Sequence, residues 1–159
     1  MTVVPAVLWT GAALSATVAV FLTACSSRGL DHLAAAGVVD GTSWRLTSMV
    51  VDGEDIALSA DHPVTLVRHD GGVAGSTGCN RYRGDLTVAA GDSPLLGPLA
   101  MTRRMCVDAD AMRVESLYVA ALGRVCTAAA AADLVVLASA GTRLVLAPVA
   151  SEATSGGTR

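Results

Sequence analysis

The stretch VTLVRHDGGVAGSTGCNRYRGD, residues 64–85, decides the fold. Its first part, 64–69, alternates apolar and polar side chains and is rich in β-branched residues, which is typical of a half-buried strand. The Asp-Gly-Gly at 70–72 is a strong turn signal, and residues 73–79 are expected to return as the second strand of a hairpin. A further strand is expected over 82–89. The stretch therefore predicts antiparallel β-structure between neighbouring strands.

An opening strand is expected upstream of this hairpin. Within residues 41–50, Trp44, Leu46 and Ser48 fall on one face, as a half-buried strand requires. The Asp-Gly at 52–53 marks the turn that follows.

Further strands are expected downstream. Residues 95–101 predict a strand that a Gly-Pro pair interrupts. Residues 134–137 and 143–146 predict a closing hairpin around the turn at 139–142. The alanine-rich residues 127–132 are interpreted as a loop or a frayed helix end.

One segment, residues 108–125, has a helical period. Asp108 or Asp110 is expected to cap its N-terminus, and Arg124 to complement the helix dipole at its far end. Its apolar positions recur at spacings of three and four, as in an amphipathic helix: Ala111, Val114, Tyr118, Ala121, Leu122 and Val125. The order of elements predicts a mainly β (α+β) domain, a small barrel-like and strongly curved antiparallel sheet with one helix packed on it.

The composition argues against a nucleic-acid partner. The 159-residue chain has a net charge of −3 and no lysine, whereas binding to phosphates needs clustered cations. The nearest approach to such a cluster is formed by Arg81, Arg83, Arg103 and Arg104.

The N-terminal stretch is a candidate export signal. Residues 2–27 carry no charged side chain, and the run Leu-Thr-Ala-Cys at 22–25 resembles the lipobox of bacterial lipoproteins. The resemblance implies a signal peptide over 1–24, cleaved before Cys25, whose thiol takes a diacylglyceryl group with palmitate-type chains. An uncleaved spanning helix and an ordinary secretory signal are the alternatives, and all three place the domain outside the cytoplasm.

Three segments are expected after the signal peptide. Residues 25–40 form the lipidated cysteine and a tether, or a frayed short helix. Residues 41–149 form the folded domain, and residues 150–159 a disordered tail. The expected location is the extracytoplasmic face of the cell membrane, with the lipid as anchor.

The segment GCNRY at 78–82 carries a family resemblance. Together with Gly75 before it and Gly84 after it, this segment is similar to the G-x-x-GCNRY-x-G signature of the META domain, also called HslJ-like. The residues that match are Gly75, Gly78, Asn80, Arg81, Tyr82 and Gly84.

A second run supports the same family. LAMTRRMC at 99–106, with Thr102 and Arg103, resembles the family's L-A-x-T-R-M-A-C signature. Glu115 and Tyr118 match the helix that follows it. The resemblance implies a mainly β, barrel-like domain of bacterial envelope proteins, associated with stress responses and without an established catalytic mechanism.

The cysteines of the two signatures, Cys79 and Cys106, are expected to form a disulfide in the oxidising exterior. Two buried thiols are the alternative. Cys126 is then left over, either buried at the helix end or competing for one of the other two.

Structural roles are expected for the other signature residues. Asn80 suits a turn, because its side chain bonds nearby backbone. Arg103 is expected to pair with Glu115 or with carbonyl groups, and an anion site on the surface is the alternative.

No catalytic, metal or cofactor site is predicted. A Cys–His nucleophile would need a cysteine near His62 or His69, and the spacing of Asp61, His62, His69 and Asp70 fits no zinc template. The expected function is a non-catalytic binding or structural role in the cell envelope, with an envelope protein as partner. The alternatives are a carrier of a small apolar ligand inside the barrel and an inhibitor of an exogenous hydrolase through loop 79–84 or 100–106.

Overall fold

The structure is a computed structural model that describes residues 33–87 and 93–149. The predicted signal peptide, the candidate lipid-bearing Cys25 and the tail over 150–159 lie outside the described residues. Within the described part of the chain, no helix is long and apolar enough to span a bilayer.

Over residues 33–87 and 93–149, the fold consists of nine strands and one long helix, which confirms a mainly β domain. The elements are β1 (Ser43–Val51), β2 (Glu54–Asp55), β3 (Thr65–His69), β4 (Gly72–Ser76), β5 (Arg81–Asp85), β6 (Ala100–Met101), α1 (Ala109–Leu122), β7 (Thr127–Ala131), β8 (Leu134–Ser139) and β9 (Thr142–Pro148).

The strands form one antiparallel sheet in the order β6-β5-β4-β3-β1-β9-β8-β7, with β2 paired to β1. The edge strands β6 and β7 are not paired with each other, so the sheet described here is open and the expected barrel is not closed. One backbone bond connects the segments that flank the two edges, from Leu95 N–H to the Val125 carbonyl oxygen at 2.8 Å.

The predicted inward face of β1 is right only in its first half. Trp44 and Leu46 are buried, but the pairing with β9 passes from Leu46↔Leu146 to Ser48↔Val145, which leaves Thr47 as an extra residue. Such a bulge reverses the alternation of side chains. Met49 and Val51 are buried beyond it, and Ser48 is not part of the core.

The two predicted Asp-Gly turns are confirmed. The central residues have positive φ in both, 53° and 84° at Asp52 and Gly53, and 40° and 79° at Asp70 and Gly71. Two positive φ values define a type I′ turn, whose twist matches that of the flanking strands.

The helix α1 follows its sequence pattern closely. Asp108 caps it, since its carboxylate accepts from the N–H groups of Asp110 (2.8 Å) and Ala111 (3.2 Å). All the predicted apolar positions are buried, and the helix packs on β1 and β9. Arg124 lies beyond the helix end and its guanidinium contacts Asp52 at 3.3 Å, so the expected role at the last turn is wrong.

Three segments differ from their predicted form. The alanine-rich residues form the edge strand β7 and pair with β8. Of the strand expected over 95–101, only Ala100–Met101 pairs as a strand, with one bridge between Leu86 and Leu96. The core also includes Leu33, Ala36 and Val38, so packed structure extends into the segment assigned to the tether.

Candidate functional site

The two signature segments are joined covalently. Cys79 and Cys106 form the predicted disulfide, with Cα atoms 5.9 Å apart and a sequence separation of 27 positions. A loop of that length stabilises the fold by about 3–4 kcal/mol in the chain-entropy model. The disulfide fixes the segment after β6 against the turn before β5.

Asn80 clamps the same segment through hydrogen bonds. Its Oδ1 accepts from the Thr102 hydroxyl at 2.8 Å and from the Arg104 N–H at 2.7 Å. Its Nδ2 donates to the Arg104 carbonyl oxygen at 3.1 Å. Because the side chain is buried, each of these bonds would be costly to lose. One amide therefore holds the residues on both sides of Arg103.

Glu115 holds this clamp from the helix side. Its carboxylate accepts from Asn80 Nδ2 at 3.0 Å, from the Asn80 N–H at 3.1 Å and from the Thr77 hydroxyl. The pairing of Arg103 with Glu115 that the sequence suggested is therefore not found, because the carboxylate is bonded to Asn80 and Thr77 and the Arg103 side chain is exposed. Thr77 is a member of the site that the sequence interpretation missed.

A second polar pair lies inside the core. The Tyr82 hydroxyl donates to the Thr65 carbonyl oxygen at 2.9 Å, and the hydroxyl oxygens of Tyr82 and Tyr118 are 2.8 Å apart. The rings meet edge to face with centroids 5.7 Å apart. Burial raises the pKa of both tyrosines well above the ordinary value, so both remain neutral donors.

At the glycines of the first signature, a larger residue would clash with its neighbours or strain the backbone. A Cβ atom on Gly75 would overlap the Thr65 carbonyl oxygen and lie 2.9 Å from Tyr82 Cε1. Gly78 has a φ of 92°, which a larger residue rarely adopts. A Cβ on Gly84 would overlap the Leu99 side chain.

The segment from Arg103 to Val107, here called the 103–107 loop, is the most exposed part of the site. The side chains of Arg103 and Arg104 lie on the surface, and Met105 and Val107 are 91% and 105% exposed. The loop borders a surface groove of about 540 Å³ that Met101, Met112 and Glu115 also line.

The residues considered for catalysis lie in different surroundings. His62 Nε2 lies 3.3 Å from the carboxylate of Asp108, the helix cap, and His69 is exposed at the end of β3. Cys126 is buried, as expected, but the structure does not hold it as a free thiol. Among the residues described, no three His, Cys, Asp or Glu side chains form a metal-binding group.

The comparisons with known proteins agree with the fold. The family model of the META domain matches residues 37–151. A protein from Burkholderia xenovorans solved by NMR is similar, with a TM-score of 0.60 and 28% identity over 74% of this chain and 88% of that one. A second NMR structure has a TM-score of 0.51 and 23% identity over 69% and 90% of the two chains, and it supports the fold alone. The comparison with curated proteins finds no match.

Proposed function

Because the chain belongs to the META domain family, we propose that it is a lipid-anchored protein of the cell envelope with a non-catalytic binding or structural role that is related to stress. The observation that carries this proposal is the disulfide between Cys79 and Cys106, which links the two signatures. Disulfides persist in oxidising compartments, and an exported domain fits the apolar segment before Cys25.

The non-catalytic role is supported by how the signature groups are used. The polar atoms of Asn80 bond Thr102 and Arg104, and the carboxylate of Glu115 bonds Asn80 and Thr77. Groups that are engaged in this way support a loop, and they are not poised to transfer a proton. What the domain presents to a partner is the exposed 103–107 loop.

The anchor is tested by the intact mass of the protein extracted from its native membrane, measured with alkylation before and after reduction. The expected mass is that of a chain that begins at Cys25 and carries acyl chains, with Cys79 and Cys106 protected until reduction. The Cys25→Ser variant serves as the control and should lose the acyl mass. A chain that retains residues 1–24, or a Cys25 without lipid, would contradict the proposed anchor.

A further inference from the structure

The 103–107 loop is exposed and held in one shape. Thr102 and Arg104 are both bound to the side chain of Asn80, and Cys106 is fixed by the disulfide to Cys79. The residue between the two clamped positions, Arg103, has its side chain in solvent. Because the backbone on both sides of Arg103 is already fixed, the loop loses little conformational entropy when it binds a partner.

We propose that the 103–107 loop is a substrate-like binding loop for an arginine-specific serine protease, with Arg103 entering the primary specificity pocket. Such pockets hold an aspartate that pairs with the basic side chain of the substrate. The protease specifies the partner for the binding role proposed above, on which this inference rests for its place outside the cytoplasm.

The guanidinium of Arg103 is not neutralised by a neighbouring carboxylate in the described part of the chain. Among the other described arginines, Arg68, Arg113 and Arg124 contact carboxylates within 4 Å, whereas Arg45, Arg81, Arg83 and Arg143 do not, so the position of Arg103 in the clamped loop distinguishes it from them. In the part of the chain that the structure describes, no ion pair engages Arg103 or Arg104. The nearby Glu115 is already bonded to Asn80, so the guanidinium of Arg103 is left for an external carboxylate.

The clamp also explains why such a loop would inhibit the protease and escape rapid digestion. Hydrolysis of the bond between Arg103 and Arg104 adds one water and leaves a carboxylate on Arg103 and an amine on Arg104. The amine nitrogen of Arg104 is held by Asn80 Oδ1 at 2.7 Å, and Thr102 is held by the same atom at 2.8 Å. The two new ends therefore stay together, and the bond can form again before the halves separate.

Apolar side chains follow Arg103 on the side of the leaving amine. Met105 and Val107 lie almost fully in solvent, and Met112 lines the same groove as Met105. Buried methionine and arginine side chains are enriched in protein–protein interfaces, so these residues supply the apolar contact beside the charged one.

The loop also lies away from the point where the chain enters the domain. The Leu33 carbonyl oxygen accepts a hydrogen bond from the Val38 N–H, and the Val38 carbonyl oxygen accepts one from the Arg68 side chain. Arg68 lies opposite Val73, near one end of β4. The other end of β4 is Ser76, which pairs with Arg81, and Arg81 bonds Thr102. A tether that leads to Leu33 would therefore leave the loop accessible to a protease in solution.

The test is inhibition of trypsin by the full chain, purified in a non-ionic detergent and assayed with a chromogenic arginine substrate. We expect a dissociation constant of about 1 μM or lower, typical of a prepared inhibitor loop. The Arg103→Leu variant should lose about 100-fold or more against trypsin and should gain inhibition of chymotrypsin, whose pocket is apolar.

Two matched arginine variants serve as controls, since all three changes remove one exposed guanidinium. Arg143→Leu, on β9, and Arg45→Leu, on β1, lie outside the loop and should keep inhibition of trypsin within a few-fold. Equal loss in Arg143→Leu, rapid cleavage of the wild-type loop, or no inhibition of trypsin at all would overturn the proposal. None of these results bears on the lipid anchor, which the mass measurement tests separately.

Discussion

The hydroxyl group of Tyr118 donates its hydrogen to that of Tyr82 inside the core. The direction follows from the neighbouring bond, because the Tyr82 hydroxyl donates its only hydrogen to the Thr65 carbonyl oxygen at 2.9 Å and can only accept from Tyr118. Tyr82 therefore serves as both donor and acceptor, and it connects α1 to β3 through β5.

This direction predicts unequal effects for the two Tyr→Phe substitutions. Tyr82→Phe leaves both the Tyr118 hydroxyl and the Thr65 carbonyl without their partner, and it should cost about 2–3 kcal/mol of unfolding free energy. Tyr118→Phe removes only one donor to Tyr82 and should cost about 1 kcal/mol. Urea unfolding followed by far-UV circular dichroism measures both. Equal losses, or a larger loss for Tyr118→Phe, would contradict the assigned direction.

The same pair predicts how stability depends on alkaline pH. Burial raises the pKa of Tyr82 and of Tyr118 above the value of about 10 that tyrosine has in an unfolded chain. Their contribution to stability is fully present below pH 10 and is lost as the pH rises toward the folded pKa values, because the unfolded state ionises first. Since these are the two tyrosines of the chain, absorbance at 295 nm should rise together with loss of structure. A rise at about pH 10 in the folded protein would be the contrary result.

Gly75 and Gly97 form a matched pair for a test of close packing. Gly75→Ala places a methyl group against the Thr65 carbonyl oxygen and the Tyr82 ring, and it should cost more than about 2 kcal/mol. At Gly97 the nearest atom to a Cβ is 3.6 Å away, an ordinary contact, so Gly97→Ala should change stability by less than about 1 kcal/mol. Thermal unfolding compares the two, and equal melting temperatures would exclude the proposed overlap at Gly75.

Asn80→Ala should release the 103–107 loop. The substitution leaves the Arg104 N–H and the Glu115 carboxylate without bonds that they now have, and it should cost about 2–4 kcal/mol. Amide hydrogen exchange should increase at Arg104 while β8 and β9 keep their protection. Exchange at Arg104 that matches wild type would mean that the clamp does not order the loop.

The sequence patterns predicted α1 and the two Asp-Gly turns well, because each depends on neighbours along the chain. The spacing of Ala111, Val114 and Tyr118 and the cap at Asp108 needed no knowledge of the sheet. The prediction of which face of β1 is buried was wrong after Leu46, because the bulge at Thr47 arises from the pairing of β1 with β9, which is distant in sequence. The alternation of apolar and polar residues within one strand does not show its register with a distant strand.

The sequence did not predict the alanine-rich strand β7 or the hydrogen bonds by which Asn80 holds the 103–107 loop, and the reasons differ. Residues 127–131 lack both alternation and bulk, so only their partner β8 makes them a strand. The disulfide was predicted from two signature cysteines in an oxidising exterior, but the bonds of Asn80 to Thr102 and Arg104 join residues more than 20 positions apart and leave no local pattern. Thr77 was missed because its role depends on Glu115, which approaches from the helix.

The central position of β1 and β9 has a consequence for the order of folding. β1 opens the sheet and β9 completes it, yet the two strands lie side by side in the middle of the sheet, with Trp44 opposite Pro148. All the other strands are therefore synthesised before β9 can pair with β1 and complete the middle of the sheet. Contacts between such distant parts of a chain make folding slow. The middle of the sheet therefore stays incomplete until β9 has left the ribosome.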